Sequence, residues 1–228
     1  MKKIIVPTDF SPNADKALDY AVQIAIQSGG EIILVHAVDP EIMEDKIRKA
    51  TEKMELTIKG SAGADVINII PKVCLDRPIP GILGSISEYN ADLVVMGTLG
   101  NTALAERILG SITASVIGKS PVPVLAIPLL SDWKVPKKIL LAINHFDEKE
   151  SQLLPVIDLA RLFSASIQVT IFTDTDDGFV EDYDEDELKI AAYRDMLKEQ
   201  YKDLEIHAVH LAGKHFKENV KNWIDNNE

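Results

Sequence analysis

Leu93-Val94-Val95-Met96-Gly97-Thr98-Leu99-Gly100, followed nine residues later by Gly110-Ser111-Ile112-Thr113, decides how this chain folds. Four apolar residues running into glycine read as a buried strand that opens onto a loop. The spacing G-x2-G-x9-G-S then puts three glycines and a helix-starting serine at the carboxyl end of that strand. Gly97 and Gly100 are expected to take positive φ and let the backbone approach an anion without a Cβ clash. Gly110 is expected to do the same before a helix over Ser111–Lys119, which Ser111 would cap. The free amides and dipole of such a helix start favour a phosphate. The hydroxyls of Ser111 and Thr113 would add donors. The same residues also fit a plain glycine-containing βα loop followed by a capped helix.

Strand and helix patterns alternate outward from this point. Toward the N-terminus, Lys2–Val6 is a β-branched run stopped by Pro7. Ser11-Pro12 reads as an N-cap with proline at the first helical position. Ala17, Leu18, Ala21, Ile24 and Ala25 recur at helical spacing until Gly29-Gly30. Glu31–Val38 reads as a strand, 41–58 as a helix, Val66–Val73 as a strand and Pro80–Tyr89 as a short helix. Val122–Ile127, set between prolines, supplies a fifth strand. Five strands alternating with four helices predict an α/β fold with an open, doubly wound, five-stranded parallel sheet. In such sheets ligands bind at the carboxyl ends of strands where the winding reverses. Asp9, in Pro7-Thr8-Asp9, stands at such an end. Its carboxylate would accept from a base amino group or a ribose hydroxyl, or else Asp9 or Ser11 simply caps the first helix.

Residues 1–130 form the first expected domain, and Pro128–Pro136 reads as a linker. Residues 137–228 then repeat the opening. Lys137-Lys138-Ile139-Leu140-Leu141 echoes Lys2-Lys3-Ile4-Ile5-Val6, and β-α-β-α-β-α follows, with a helix expected from about Glu187. Everything equivalent to Leu93–Pro128 is missing from this partial second copy.

The net charge is −12, which disfavours non-specific binding to nucleic acid or anionic membrane. The imbalance is concentrated late: 12 basic and 15 acidic residues in 1–130, against 12 and 21 in 131–228. Cys74 is the sole cysteine, which excludes a disulfide framework. No apolar run reaches the roughly 18 residues of a membrane span, and a cytoplasmic location is expected. His207 and His210, three apart on a strand, face opposite sides and do not form an evident metal pair. Asp174–Glu187 holds nine acidic residues in fourteen but lacks EF-hand order, and a solvated loop and helix start accounts for it.

Pro7-Thr8-Asp9, Leu34-Val35-His36-Ala37-Val38 and Asp92–Pro128 together resemble the universal stress protein family, in its ATP-binding branch. The resemblance spans residues 2–128 and implies a sheet of the adenine nucleotide alpha hydrolase type. It implies ATP or AMP as the ligand, with Mg²⁺ held through the phosphates. Adenine would lie near Asp9 and the Val38 backbone, with ribose and phosphates against Gly97, Gly100, Gly110, Ser111 and Thr113. Pro7, Thr8, Met96 and Ile112 complete the implied contact set. Leu99 and Asn101 stand where many members carry polar or basic side chains, which shifts the expectation toward AMP or weaker binding. Residues 137–224 resemble the second copy of tandem members, with Asn144 in the place of Asp9 and no glycine loop.

No catalytic set is visible: the chain has no Walker lysine and no evident base for water. The expected role is a nucleotide-binding stress or signalling module, whose protein partner the residues do not name. The alternatives are a slow ATPase or nucleotide-transferring enzyme, and an interaction module with a relic site. Family members pair through the strand after the glycine loop, so a homodimer through Pro123–Ile127 is expected.

Overall fold

A computed structural model describes residues 1–39, 41, 44–98, 109–143, 150–174 and 181–227. The chain divides into two compact units, Met1–Lys134 and Val135–Glu228.

The first unit runs β1 (Lys3–Pro7), α1 (Pro12–Ser28), β2 (Glu31–Val38), α2 (Glu44–Gly60), β3 (Ile69–Leu75), α3 (Pro78–Tyr89), β4 (Leu93–Gly97), α4 (Ser111–Lys119) and β5 (Val124–Ile127). The strands form one parallel sheet in the order β3-β2-β1-β4-β5. Its centre is apolar on both faces. Ile5, Ile33, Val35, Val94 and Met96 pack with Ile82, Ile86 and Val116 from α3 and α4. The alternate residues Ile4, Val6, Ile32 and Leu34 are equally buried on the opposite face. Burying each such side chain contributes roughly 1.5–3 kcal/mol.

Helix α1 shows how local chemistry sets an element's limits. The Ser11 hydroxyl accepts from the Ala14 amide at 3.2 Å, and Pro12 opens the first turn. Gly29 ends the helix with φ 61°, a left-handed conformation that costs glycine nothing. Between them Ala17, Leu18, Ala21, Ile24 and Ala25 are buried against the sheet.

Two expectations for this unit need correction. β3 begins at Ile69, not Val66: Gly63 takes φ 83° and Ala64–Val66 winds into a single 3-10 turn, leaving Val66 exposed. The stretch after Pro128 is also less linker-like than its prolines indicate. Asp132 pairs with Lys16 at 3.2 Å, its carbonyl accepts from the Tyr20 hydroxyl at 2.9 Å, and Trp133 meets the Tyr20 ring edge-on at 5.1 Å. Asp132 and Trp133 are thus fastened to α1.

The second unit runs β6 (Lys138–Ala142), α5 (Glu150–Phe163), β7 (Ser166–Asp174), α6 (Glu181–Gln200), β8 (Ile206–Gly213) and α7 (Phe216–Asn227). Its three strands are parallel in the order β6-β7-β8, over a core of Ile157, Ile167, Val169, Ile190 and Leu197. α6 starts six residues before the expected Glu187. Carboxylates at a helix N-terminus oppose the macrodipole favourably, so the acidic run extends the helix rather than ending it. Glu185 and Lys189 then pair one turn apart at 2.7 Å. Among the described residues no helix is long and apolar enough to cross a membrane.

Candidate functional site

The winding of the five-stranded sheet reverses between its neighbours β1 and β4. A crevice at the carboxyl ends of two such strands is where open α/β sheets receive ligands. Thr8–Ser11, which leave β1, and Thr98 and Gly110, the described ends of the connection from β4 to α4, stand at this end of the sheet.

On the β1 side, the Thr8 amide extends the ladder by donating to the Val35 carbonyl at 2.8 Å. The chain then turns sharply. The Phe10 amide donates to Thr8 Oγ1 and the Ser11 amide to Asp9 Oδ1, both at 3.0 Å. Phe10 takes φ 60°, a costly conformation for a bulky side chain and one that clusters at functional loops. Ser11, not Asp9, caps α1. Asp9 is exposed, with its carboxylate displayed at the rim. His36 Nδ1 lies 2.7 Å from the Thr8 carbonyl; because a carbonyl only accepts, Nδ1 carries the proton. That bond ties the end of β2, and with it Val38, to the β1 loop. Burial raises the Asp15 carboxyl above its usual range, assisted by the nearby charges of Asp19 and Asp9 and opposed by Lys53.

On the β4 side, Gly97 ends the strand in extended backbone and does not take the expected positive φ. Its lack of a side chain serves close approach instead: a Cβ there would lie 2.7 Å from the Asn13 side chain and 2.8 Å from its carbonyl. Gly110 likewise has φ −72°, and it, not Ser111, is the N-cap of α4. Ser111 is the first helical residue. The Gly110 amide donates to the Thr98 carbonyl at 2.6 Å, and the buried Thr113 hydroxyl donates to the Gly97 carbonyl at 2.9 Å. The Thr113 proton expected for a phosphate is therefore engaged inside the protein. These two bonds close the base of the glycine excursion. Leu99, Gly100 and Asn101 lie outside the described residues.

The amides of Ser111, Ile112 and Thr113 have no i−4 carbonyl within α4, and Ser111 and Ile112 are exposed. Met96 is buried under the crevice and Pro7 and Val38 end their strands beside it. Asn13 and His36 were not singled out from the sequence as site residues. Asn13 stands four residues before Ala17 on the buried stripe of α1, and that register marks it as inward-facing. Elsewhere, Cys74 is half-buried with Sγ 3.3 Å from the Ser85 hydroxyl. His207 Nε2 meets Glu205 and His210 Nε2 meets Thr173.

The model of the Universal stress protein family matches residues 1–128. The chain belongs to the universal stress protein family. Universal stress protein MJ0577 of Methanocaldococcus jannaschii is 27% identical over 152 residues, covering 55% of this chain and 94% of the relative. A universal stress protein solved in complex with cAMP is 28% identical, covering 56% of this chain and 97% of that one, with a TM-score of 0.46. A universal stress protein from Archaeoglobus fulgidus covers 99% of this chain and 84% of its own at a TM-score of 0.70 and 16% identity, which speaks to the fold alone.

Proposed function

We propose that the first unit binds one adenine nucleotide, ATP or AMP, in the crevice between the β1 and β4 loops and acts as a nucleotide-responsive stress or signalling module. The observation that carries this reading is the pairing of an exposed carboxylate, Asp9, with the open amides of α4 across the winding reversal of the sheet. Asp9 accepts from the adenine amino group or the ribose, beside the Val38 backbone. The amides of Ser111, Ile112 and Thr113 and the Ser111 hydroxyl take the phosphates, next to Gly97, Gly100 and Gly110. The residues fit the phosphate, since a helix start offers donors and a favourable dipole. Mg²⁺, when present, is held through phosphate oxygens and neutralises their charge. The described crevice presents no lysine to the phosphates, so micromolar affinity is expected, about −8 kcal/mol. Calorimetric titration of nucleotide-free protein with ATP, ADP and AMP tests this; absence of heat with all three refutes it.

Two further parts of the reading concern assembly. β5 is an edge strand of a fully parallel sheet, and unpaired strand edges invite pairing. We infer a homodimer through Pro123–Ile127, about a two-fold axis. The second unit is read as a partial second copy, because β6-β7-β8 repeats the parallel β1-β2-β3 arrangement with helices between. A cytoplasmic setting accords with a single cysteine and a nucleotide ligand.

A further inference from the structure

The reading above puts adenine beside Asp9 and the Val38 backbone. A cleft of about 350 Å³ opens there, between the end of β2 and α2, and Phe10, His36, Val38, Ala50 and Lys53 are among its walls. A purine needs a flat apolar surface, and Phe10 is the residue that offers one. Its ring is half-buried, on a backbone held at φ 60°.

That ring is already engaged. Lys53 Nζ lies over it, 4.3 Å from its centre. The centre of the His36 imidazole is 4.4 Å away, at an interplanar angle of 44°. Stacked carbon atoms sit about 3.5–4.0 Å apart, so a base and the ammonium cannot share one face of the ring. The two neighbours are held very differently. His36 is half-buried, and its Nδ1 donates to the Thr8 carbonyl at 2.7 Å. Lys53 is exposed and makes no hydrogen bond or ion pair among the described residues. Asp15 lies near enough to feel its charge. A lysine ammonium is strongly hydrated and rides on a flexible stem, so it is the neighbour that yields. The other charges of the cleft are occupied: Lys49 pairs with Asp45 at 2.6 Å, and Asp39 Oδ1 accepts from the Glu41 amide at 3.1 Å.

We propose that Phe10 is the stacking platform for the nucleotide base and that Lys53 is its displaceable cover, base and ammonium exchanging on one face of the ring. This rests on the nucleotide reading and adds to it the residues that read the base. A planar base replaces the ring contact that it breaks. A sugar phosphate or an inorganic phosphate gains nothing by opening the cover. The displaced ammonium returns to solvent, with Asp15 nearby.

Calorimetric titration of the nucleotide-free full chain with adenosine tests the exchange, because an uncharged ligand does not sense Lys53 through phosphate charge. Lys53→Gln removes the cation and should tighten adenosine binding about two- to fivefold, the worth of an exposed cation–ring contact. Lys53→Arg keeps a cation able to lie on the ring and should bind no tighter than the parent. Phe10→Leu should weaken adenosine binding about two- to tenfold. In that background Lys53→Gln should bring no further gain, since the two changes act on one contact. Lys53 is an exposed position, so its variants remain folded. Inorganic triphosphate, followed by NMR at the α4 amides, should bind alike in parent and Lys53 variants. Adenosine binding in Lys53→Gln that is unchanged or weaker overturns the cover and leaves the nucleotide reading standing. So does an equal gain in the Phe10→Leu background, or a matching change with triphosphate, which would assign the effect to net charge. Failure of every one of these proteins to bind adenosine, ATP or AMP removes the nucleotide reading and this inference together.

Discussion

Gly97 and Asn13 are in such close contact that no other residue fits at position 97 without displacing Asn13, whose side chain is 4% exposed. This contact locks the end of β4 to the first turn of α1, so the two walls of the crevice are set by one packing event. Gly97→Ala is expected to destabilise the first unit by about 1–3 kcal/mol, the usual cost of overpacking. Chemical denaturation measures the loss. Adding Asn13→Ala should recover part of it but not all, because the Asn13 carbonyl also meets the new methyl.

Thr113→Val tests the strut beneath the glycine loop. It keeps the shape of the side chain but removes the donor to the Gly97 carbonyl. A loss of about 1 kcal/mol in stability is expected, with weaker nucleotide binding by calorimetry. Unchanged affinity would show that the base of the loop does not position the phosphates.

Asp9→Ala should weaken adenosine binding about tenfold, near 1.4 kcal/mol. Binding of inorganic triphosphate at the α4 amides, read from their NMR shifts, should persist. Equal loss of both ligands would reverse the orientation assigned to the nucleotide. Asp9→Asn, which retains the acceptor for the Ser11 amide, separates loss of charge from loss of the turn.

Asp15 supplies a pH signature. Burial, with help from Asp19 and Asp9, holds its folded carboxyl above the ordinary value, so folding takes up protons between the two. The stability tied to Asp15 is present below the ordinary carboxylate range and declines as pH rises through the raised folded value. Asp15→Asn should therefore raise the thermal midpoint relative to the parent at neutral pH, with the difference closing as the solution is acidified. A difference independent of pH would assign the effect to packing or to the helix dipole.

Lysine at Val124 or Ala126 should convert the proposed dimer to monomer in light scattering at tens of micromolar. A dimer that survives both changes is built through another surface.

The sheet was legible because burial leaves a simple trace: Ile4–Val6, Ile32–Val35 and Leu93–Met96 are continuous apolar runs of the kind central parallel strands require. Ser11-Pro12 and Gly29 fixed the limits of α1 because caps act within a few residues. Val66 misled because its hydrophobicity outweighed Gly63, whose left-handed turn moves the strand start to Ile69. The glycine spacing located the β4–α4 loop but not the reason for each glycine. Whether Gly97 serves a turn or a contact depends on Asn13, 84 positions away in the chain, and a local pattern holds no such information.

The fastening of Asp132 and Trp133 to α1 also gives the molecule an optical readout. The chain has two tryptophans, Trp133 set edge-on to Tyr20 in the first unit and Trp223 in α7 of the second. Each unit thus carries its own emitter. With Trp223→Phe, fluorescence would follow the α1 clasp and, through Asn13, the ground beneath the crevice; with Trp133→Phe it would follow the three-stranded unit alone. Two melting curves from one chain would show whether the halves unfold together or in turn.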